Sequence, residues 1–222
     1  MKVLLFGSTG MVGKGVLLEC FEDPRVEKVL AINRQPLGLA HQKLEEIIHP
    51  DFFNFSSLKD RMAEYDACFF CLGVSVAGLS EEAYKKVTYD LTLHVAQTLV
   101  SVNSGAVFCY VSGAGTDSSE KGRAMWARIK GKTENALLQL PFKAAYMFRP
   151  GFIQPMKGVR SKTAWYNAVY IILKPLYFIF KSFKGFVTDS KSLGKAMIKV
   201  ALSGYSKKII NSSDIYVLSH RS

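Results

Sequence analysis

The chain has 222 residues, of which 49% are apolar and 21% charged, with a net charge of +11 at neutral pH. This length and composition fit one α/β domain with a small appended lobe and a sizeable core, and they exclude a disordered chain or a repeat array. The basic balance invites nucleic acid or an anionic membrane surface. No nucleic-acid motif accompanies it, so no nucleic-acid partner is expected.

The opening stretch, Met1 to Gly7, is a short apolar run ending in glycine. A secretory signal needs a longer apolar core and a small-residue cleavage site. The run is therefore read as the first strand, Val3–Phe6, of a cytoplasmic protein. A helix pattern follows from Met11 to about Phe21, then a second apolar strand over Val26–Asn33 and a third near Leu44–Ile48. Leu58–Tyr65 reads as a short helix and Ala67–Leu72 as a strand. Ser80 starts a long helix to about Val102, with Glu81 and Glu82 in the first turn as the helix dipole favours. Ala106–Val111 is the fifth strand, a helix runs from about Arg123 to Leu140, and Ala144–Phe148 is the sixth strand. Unbroken apolar strands alternating with helices predict an α/β fold, a doubly wound parallel sheet. After Arg149-Pro150-Gly151 the character changes, and residues 156–222 are read as a small, mostly helical lid or substrate lobe packed on the domain of residues 1–155. Its last helix is predicted over Ser190–Ser203, capped by Asp189 or Ser190. The tail Lys208–Leu218 looks strand-like at its two ends.

Gly7-Ser8-Thr9-Gly10-Met11-Val12-Gly13 places glycines three apart, after a strand and at a helix start. The first permits a tight turn, the second lets the backbone approach a pyrophosphate, and the third lets helix pack on strand. Free N–H groups at the helix start favour the anion. This is a Rossmann-type dinucleotide turn. The second strand ends in Asn33-Arg34, where NAD-specific sites usually carry an acid for the ribose 2′-hydroxyl. An arginine can instead pair with a 2′-phosphate, so NADP is expected ahead of NAD.

Gly7–Gly13, Asn33-Arg34, Cys71-Leu72-Gly73, Val111-Ser112-Gly113, Lys130 to Glu134 and Arg149-Pro150-Gly151 fall in an order that resembles the atypical short-chain dehydrogenases/reductases, in the branch of the Tat-interacting oxidoreductase and the epimerase/dehydratase proteins. The resemblance covers residues 1 to about 155 well. It implies that Asp51 and Phe52 face the adenine, Leu72 and Gly73 pass the adenine ribose, and Pro150 and Ile153 approach the nicotinamide. It also implies a Tyr-x-x-x-Lys pair on the helix after the fifth strand, with the tyrosine moving a proton and the lysine holding the ribose. Lys130 fits the lysine, but Trp126 stands where the tyrosine belongs, and an indole N–H only donates. For polarising the substrate carbonyl the resemblance implies either Ser112 or, where the position falls on Gly113, no group at all. Tyr89, on the preceding helix, is a candidate substitute acid beside a packing role. Glu134 is either a site residue or one half of an i,i+4 ion pair on the helix surface.

Cys68 and Cys71 match C-x-x-C but lie on a strand, so their side chains point to opposite faces. The four histidines lack metal-ligand spacing, and no metal is expected. The aromatic segment Ala164–Phe180 is at the lower edge of a bilayer span and is broken by Lys174-Pro175. It is read as a lid over the cleft or a subunit interface, with peripheral contact to an anionic membrane through 164–184 as the alternative. Function narrows to an NADP-dependent oxidoreductase on a small carbonyl or alcohol with an unusual proton donor. The alternative is a catalytically weak or inactive NADP(H)-binding regulator or assembly factor, at a membrane surface in one version. A monomer or homodimer is expected.

Overall fold

The computed structural model describes residues 1–154 and 187–220. The aromatic segment and the expectations attached to it lie outside the described residues. In chain order the elements are β1 (Lys2–Phe6), α1 (Met11–Glu22), β2 (Lys28–Asn33), β3 (Leu44–Ile48), α2 (Lys59–Ala63), β4 (Ala67–Phe70), α3 (Glu81–Lys85), a π-helical turn (Lys86–Asp90), α4 (Leu91–Val102), β5 (Val107–Val111), α5 (Met125–Leu138), β6 (Ala144–Arg149), β7 (Phe152–Gln154), β8 (Val187–Asp189), α6 (Ser190–Ser203), β9 (Ile209–Asn211) and α7 (Ser212–His220).

Seven strands form one sheet in the order β3-β2-β1-β4-β5-β6-β9, and every pairing in it is parallel. β1 and β4 sit centrally and are apolar on both faces, with Leu4, Phe6, Cys68 and Phe70 turned one way and Val3, Leu5 and Phe69 the other. This two-sided burial is why these strands read as continuous apolar runs. The first face carries the helices α2, α4 and α5, and the second carries α1, α6 and α7. α1 and α6 approach closely because their contact points are small. A Cβ on Gly15 would lie 2.4 Å from the Cβ of Ser190, and one on Gly194 would lie 2.8 Å from the Glu19 side chain.

Two helix starts follow sequence chemistry. The Ser80 hydroxyl accepts from the Ala83 amide at 3.2 Å, and the Asp189 carboxylate accepts from the Ser192 amide at 2.6 Å. The long helix expected from Ser80 to Val102 is interrupted by the π turn, which alters the direction of Tyr89 relative to a regular helix. At the tail, Ile209–Asn211 is a strand as expected, but the second end is a helix. Ile215 and Leu218 are buried there three residues apart, a helical spacing that the β-branched residues around them obscure. Of the segment read as a lid or substrate lobe packed on the domain, the described part contributes the seventh strand of the main sheet and two helices packed on it.

Candidate active-site cleft

The carboxyl ends of β1, β2 and β4 open into a cleft of about 600 Å³, within the range of small-molecule sites. Gly7 leaves β1 with φ 81°, a conformation glycine adopts without strain. A Cβ there would stand 2.6 Å from the Leu72 amide nitrogen. The turn closes through the Gly10 amide, which donates to the Gly7 carbonyl at 3.0 Å. Gly10 then caps α1 without a side-chain hydrogen bond, and the first turn holds no acidic residue. The first-turn amides and the positive end of the helix dipole are thus left for an anion. Gly13 presses the helix onto the turn, since its Cβ would fall 2.2 Å from the Gly7 carbonyl oxygen. Gly10 differs, because its nearest neighbour would be that same oxygen at 3.3 Å.

Thr9, Met11, Asn33, Arg34, Phe52, Leu72 and Gly73 also line the cleft. A Cβ on Gly73 would meet no atom within 4 Å. Ser8 is buried and donates its hydroxyl to Asn33 Oδ1 at 2.7 Å, so it supports the turn from behind. Val12 packs against the core. Arg34 is exposed at the cleft wall, and among the described residues no carboxylate pairs with it. Phe52 is buried with its ring 5.7 Å from Phe6, edge to face. Asp51 corrects the expectation made for it. It is exposed, its carboxylate accepts from the Phe53 amide at 2.9 Å, and it does not line the cleft. Its acid closes its own turn. Ile32, Gln35, Cys71 and Val74 line the cleft as well and were missed; Gln35 and Val74 directly follow residues the motifs had marked.

Around β5 and α5 the polar groups bind one another. Lys130 Nζ donates to the Ser112 carbonyl and would lie 3.8 Å from a Cβ on Gly113. Burial pushes the Lys130 ammonium down to about 8, and the nearby Glu134 opposes that shift. The Ser112 hydroxyl faces Glu134 Oε1 at 2.5 Å and the Phe148 carbonyl at 3.0 Å. Ser112 is buried and its single proton is held internally, which corrects its reading as a group facing substrate. The next residue, Gly113, has no hydroxyl. Glu134 is fully buried and forms an ion pair with Arg149 from β6, with Arg149 Nε 3.1 Å from both carboxylate oxygens. Arg149 also donates to Ser118. Glu134 is therefore neither half of a surface pair nor a free site acid.

Tyr89 is corrected too. Its ring lies between the ammonium groups of Lys85 and Lys132, 5.3 and 5.0 Å from the ring centre, and it packs against the core. Lys132 is two residues from Lys130, and such residues do not share a helix face. Trp126 covers the loop before α5, its indole edge 3.1 Å from where a Gly115 Cβ would stand. The Pro150 carbonyl accepts from the Ala114 amide at 2.7 Å, and Ile153 packs against the core; neither lines the cleft of about 600 Å³. Cys68 and Cys71 pack into opposite clusters, and all four cysteines are free. Burial raises the Cys71 thiol to about 12, so its position at the cleft carries no thiolate chemistry. Among the described residues no group of side chains could hold a metal ion, and no helix is long and apolar enough to cross a membrane.

No family model matches the chain. It is 30% identical over 166 residues to the mitochondrial protein FMP52 of Saccharomyces cerevisiae, covering 73% of this chain and 69% of that one. FMP52 of Eremothecium gossypii, also named mitochondrial, is 27% identical over 224 residues, covering 98% and 97%. The protein HTATIP2 of Rattus norvegicus is 25% identical over 153 residues, covering 68% and 62%. Among solved structures, Gre2 of Candida albicans in complex with NADPH superposes with a TM-score of 0.72 at 14% identity, over 95% of this chain and 77% of that one. The ADP-L-glycero-D-manno-heptose-6-epimerase of Helicobacter pylori gives 0.67 at 19% identity, over 95% and 76%. The FMP52 names overturn the expectation of a cytoplasmic protein, which rested on a short apolar run that says nothing about organelles.

Proposed function

The chain belongs to the family of the FMP52 proteins and has the NAD(P)-binding short-chain dehydrogenase/reductase fold, and from that premise we propose that it binds NADP(H), in preference to NAD(H), along the cleft from Gly7 to Arg34. The observation that carries this is the pairing of an acid-free helix start at Gly10 with the Arg34 guanidinium on the same cleft wall, which no carboxylate among the described residues pairs with. The first suits a pyrophosphate and the second a 2′-phosphate. The open space over Gly73 leaves room for a ribose. A bound nicotinamide supplies the hydride chemistry. Lys130, on α5, does not line the cleft, but its amine sits at the Ser112 carbonyl just beyond β5, and there it would orient the second ribose. Trp126 occupies the position of a proton-transferring tyrosine and cannot titrate usefully, while the Ser112 hydroxyl is turned to Glu134. The protein is accordingly a weak oxidoreductase toward small carbonyls, with cofactor binding as its principal property.

Titration of the purified protein with NADPH and NADH tests the binding claim. Arg34→Ala is expected to weaken NADPH by roughly 1.5–3 kcal/mol, the size of a lost charge-assisted contact, and to leave NADH nearly unchanged. Equal losses for both cofactors would sink the assignment of Arg34. A screen of simple aldehydes and ketones, followed by NADPH absorbance, tests the second claim. Brisk turnover there would mean that another group supplies the proton.

A further inference from the structure

The loop that carries Arg34 is tied at both ends to one side chain from the neighbouring strand. Glu46, on β3, accepts from the Asn33 side-chain amide at 2.7 Å and from the Leu37 backbone amide at 2.9 Å, both at the same oxygen. Asn33 ends β2 and Leu37 closes the loop, so the carboxylate spans Arg34, Gln35 and Pro36. The other end of the Asn33 amide accepts from the Ser8 hydroxyl at 2.7 Å. A chain of hydrogen bonds thus links the turn at Gly7–Gly10 to the loop at Arg34. Asn33 is 3% exposed and Ser8 fully buried, which keeps water from competing for these bonds. Leu37 packs into the core beyond the loop, while Arg34 and Gln35 stay exposed and line the cleft.

We propose that Glu46 is a specificity-positioning residue: by stapling Asn33 to Leu37 it holds Arg34 and Gln35 toward the 2′-phosphate of the cofactor. This rests on the NADP(H) reading. Glu46 is not among the residues lining the cleft, so it acts through the loop rather than by contact. A three-residue loop around a long arginine otherwise samples many orientations, and fixing it lowers the entropy lost when the phosphate binds. A cofactor without the 2′-phosphate gains nothing from that order.

The test compares NADPH and NADH dissociation constants by calorimetry in the full chain. Glu46→Ala is expected to weaken NADPH about tenfold, the order of one charge-assisted hydrogen bond, with NADH changed less than about twofold. Glu46→Gln keeps an oxygen acceptor for both donors and is expected to retain the preference. Should the alanine variant fold poorly, Glu46→Met removes the acceptor while keeping the side-chain volume. Equal weakening of both cofactors, or a glutamine variant as impaired as the alanine one, overturns the proposal. So does tighter NADPH binding on loss of Glu46, because the carboxylate would then be repelling the phosphate. If wild type prefers NADPH and Arg34→Ala removes that preference while Glu46→Ala keeps it, the staple alone fails. If wild type shows no preference, the NADP(H) reading falls and the staple with it.

Discussion

The two halves of the sheet's carboxyl edge treat their polar groups differently. Around β1, β2 and β4 the helix start at Gly10 has no side-chain cap, Arg34 points outward, and Gly73 faces open space. Around β5, α5 and β6 the corresponding groups are committed to one another, with buried Ser112 and Glu134 bound together and Arg149 linking Glu134 to the exposed Ser118. The first arrangement is preorganised for an incoming anion. The second holds the sheet and helix in register and leaves little for a substrate. If the proposed function holds, the two halves should respond to mutation in different ways, the first through cofactor affinity and the second through stability.

The sharpest contrast lies between two glycines of one turn. Gly10→Val is expected to leave the fold intact, since a Cβ there has only the Gly7 carbonyl oxygen near it at 3.3 Å. Its branch would stand where the pyrophosphate approaches, and NADPH affinity should fall roughly a hundredfold or more, about 3 kcal/mol. Gly13→Val is expected to damage the fold itself, because its Cβ would overlap the Gly7 carbonyl oxygen at 2.2 Å. Calorimetry and thermal melts on both variants check this. Near wild-type NADPH binding by Gly10→Val would make the loop a plain turn.

Around β5, α5 and β6 the expected loss is in stability. Glu134→Ala leaves the half-buried Arg149 guanidinium without its carboxylate, and since breaking a fully buried pair costs about 3–5 kcal/mol, a loss of about 2–3 kcal/mol is expected here. Replacing both partners together, as Glu134→Met with Arg149→Met, should recover much of that loss. Urea unfolding of the two single variants and the double variant measures the coupling. A single variant as stable as wild type would show that the network contributes nothing.

How much of this was legible in the sequence follows from distance along the chain. The turn at Gly7–Gly13 and the end of β2 are local, and glycine spacing and strand ends marked them. The central strands were legible because burial on both faces removes polar residues from them. The network at Glu134 was not. Its partners lie 15 and 22 residues away and meet only through the pairing of β5 with β6, whereas the helical spacing to Lys130 suggested a surface contact. Tyr89 and Asp51 were misread for local reasons instead: a π turn at Lys86–Asp90 sets the position of Tyr89, and the Asp51 carboxylate closes its own two-residue turn. The Glu46 staple bridges neighbouring strands and was likewise invisible along the chain.

Trp126→Tyr probes whether the chemical half can be reopened. A tyrosine there would lie one helical turn from Lys130, and general acid catalysis is typically worth about 10²–10⁴-fold. Because Ser112 stays bound to Glu134, the expected gain in NADPH-dependent carbonyl reduction is toward the low end, about a hundredfold over wild type. Single-turnover absorbance assays with saturating NADPH would detect it. An unchanged rate in a folded, cofactor-binding variant would place the block elsewhere than at the proton donor.

The smallest expected effect links the two halves through Lys130. Its ammonium is depressed to about 8 by burial, against Glu134, which raises it. A lysine in the unfolded chain titrates near 10.4. Between these values the unfolded chain holds a proton that the native chain has released, so this group's contribution to stability rises with pH across that window. Cofactor binding should move the other way. A ribose held by the charged amine loses a donor as pH passes through 8, and NADPH affinity should fall a few-fold between pH 7.5 and 9.5. Other groups titrate in this range, so the informative quantity is wild type minus Lys130→Met. That difference in unfolding free energy should grow by about 2 kcal/mol at most over two pH units, at roughly 1.4 kcal/mol per unit of pKa difference. The variant should also show a flatter NADPH affinity profile than wild type. Urea unfolding and calorimetry at both pH values supply the two readouts. A variant whose stability and affinity profiles both parallel those of wild type would remove Lys130 from the site and leave its amine as a strut beneath the Ser112 carbonyl.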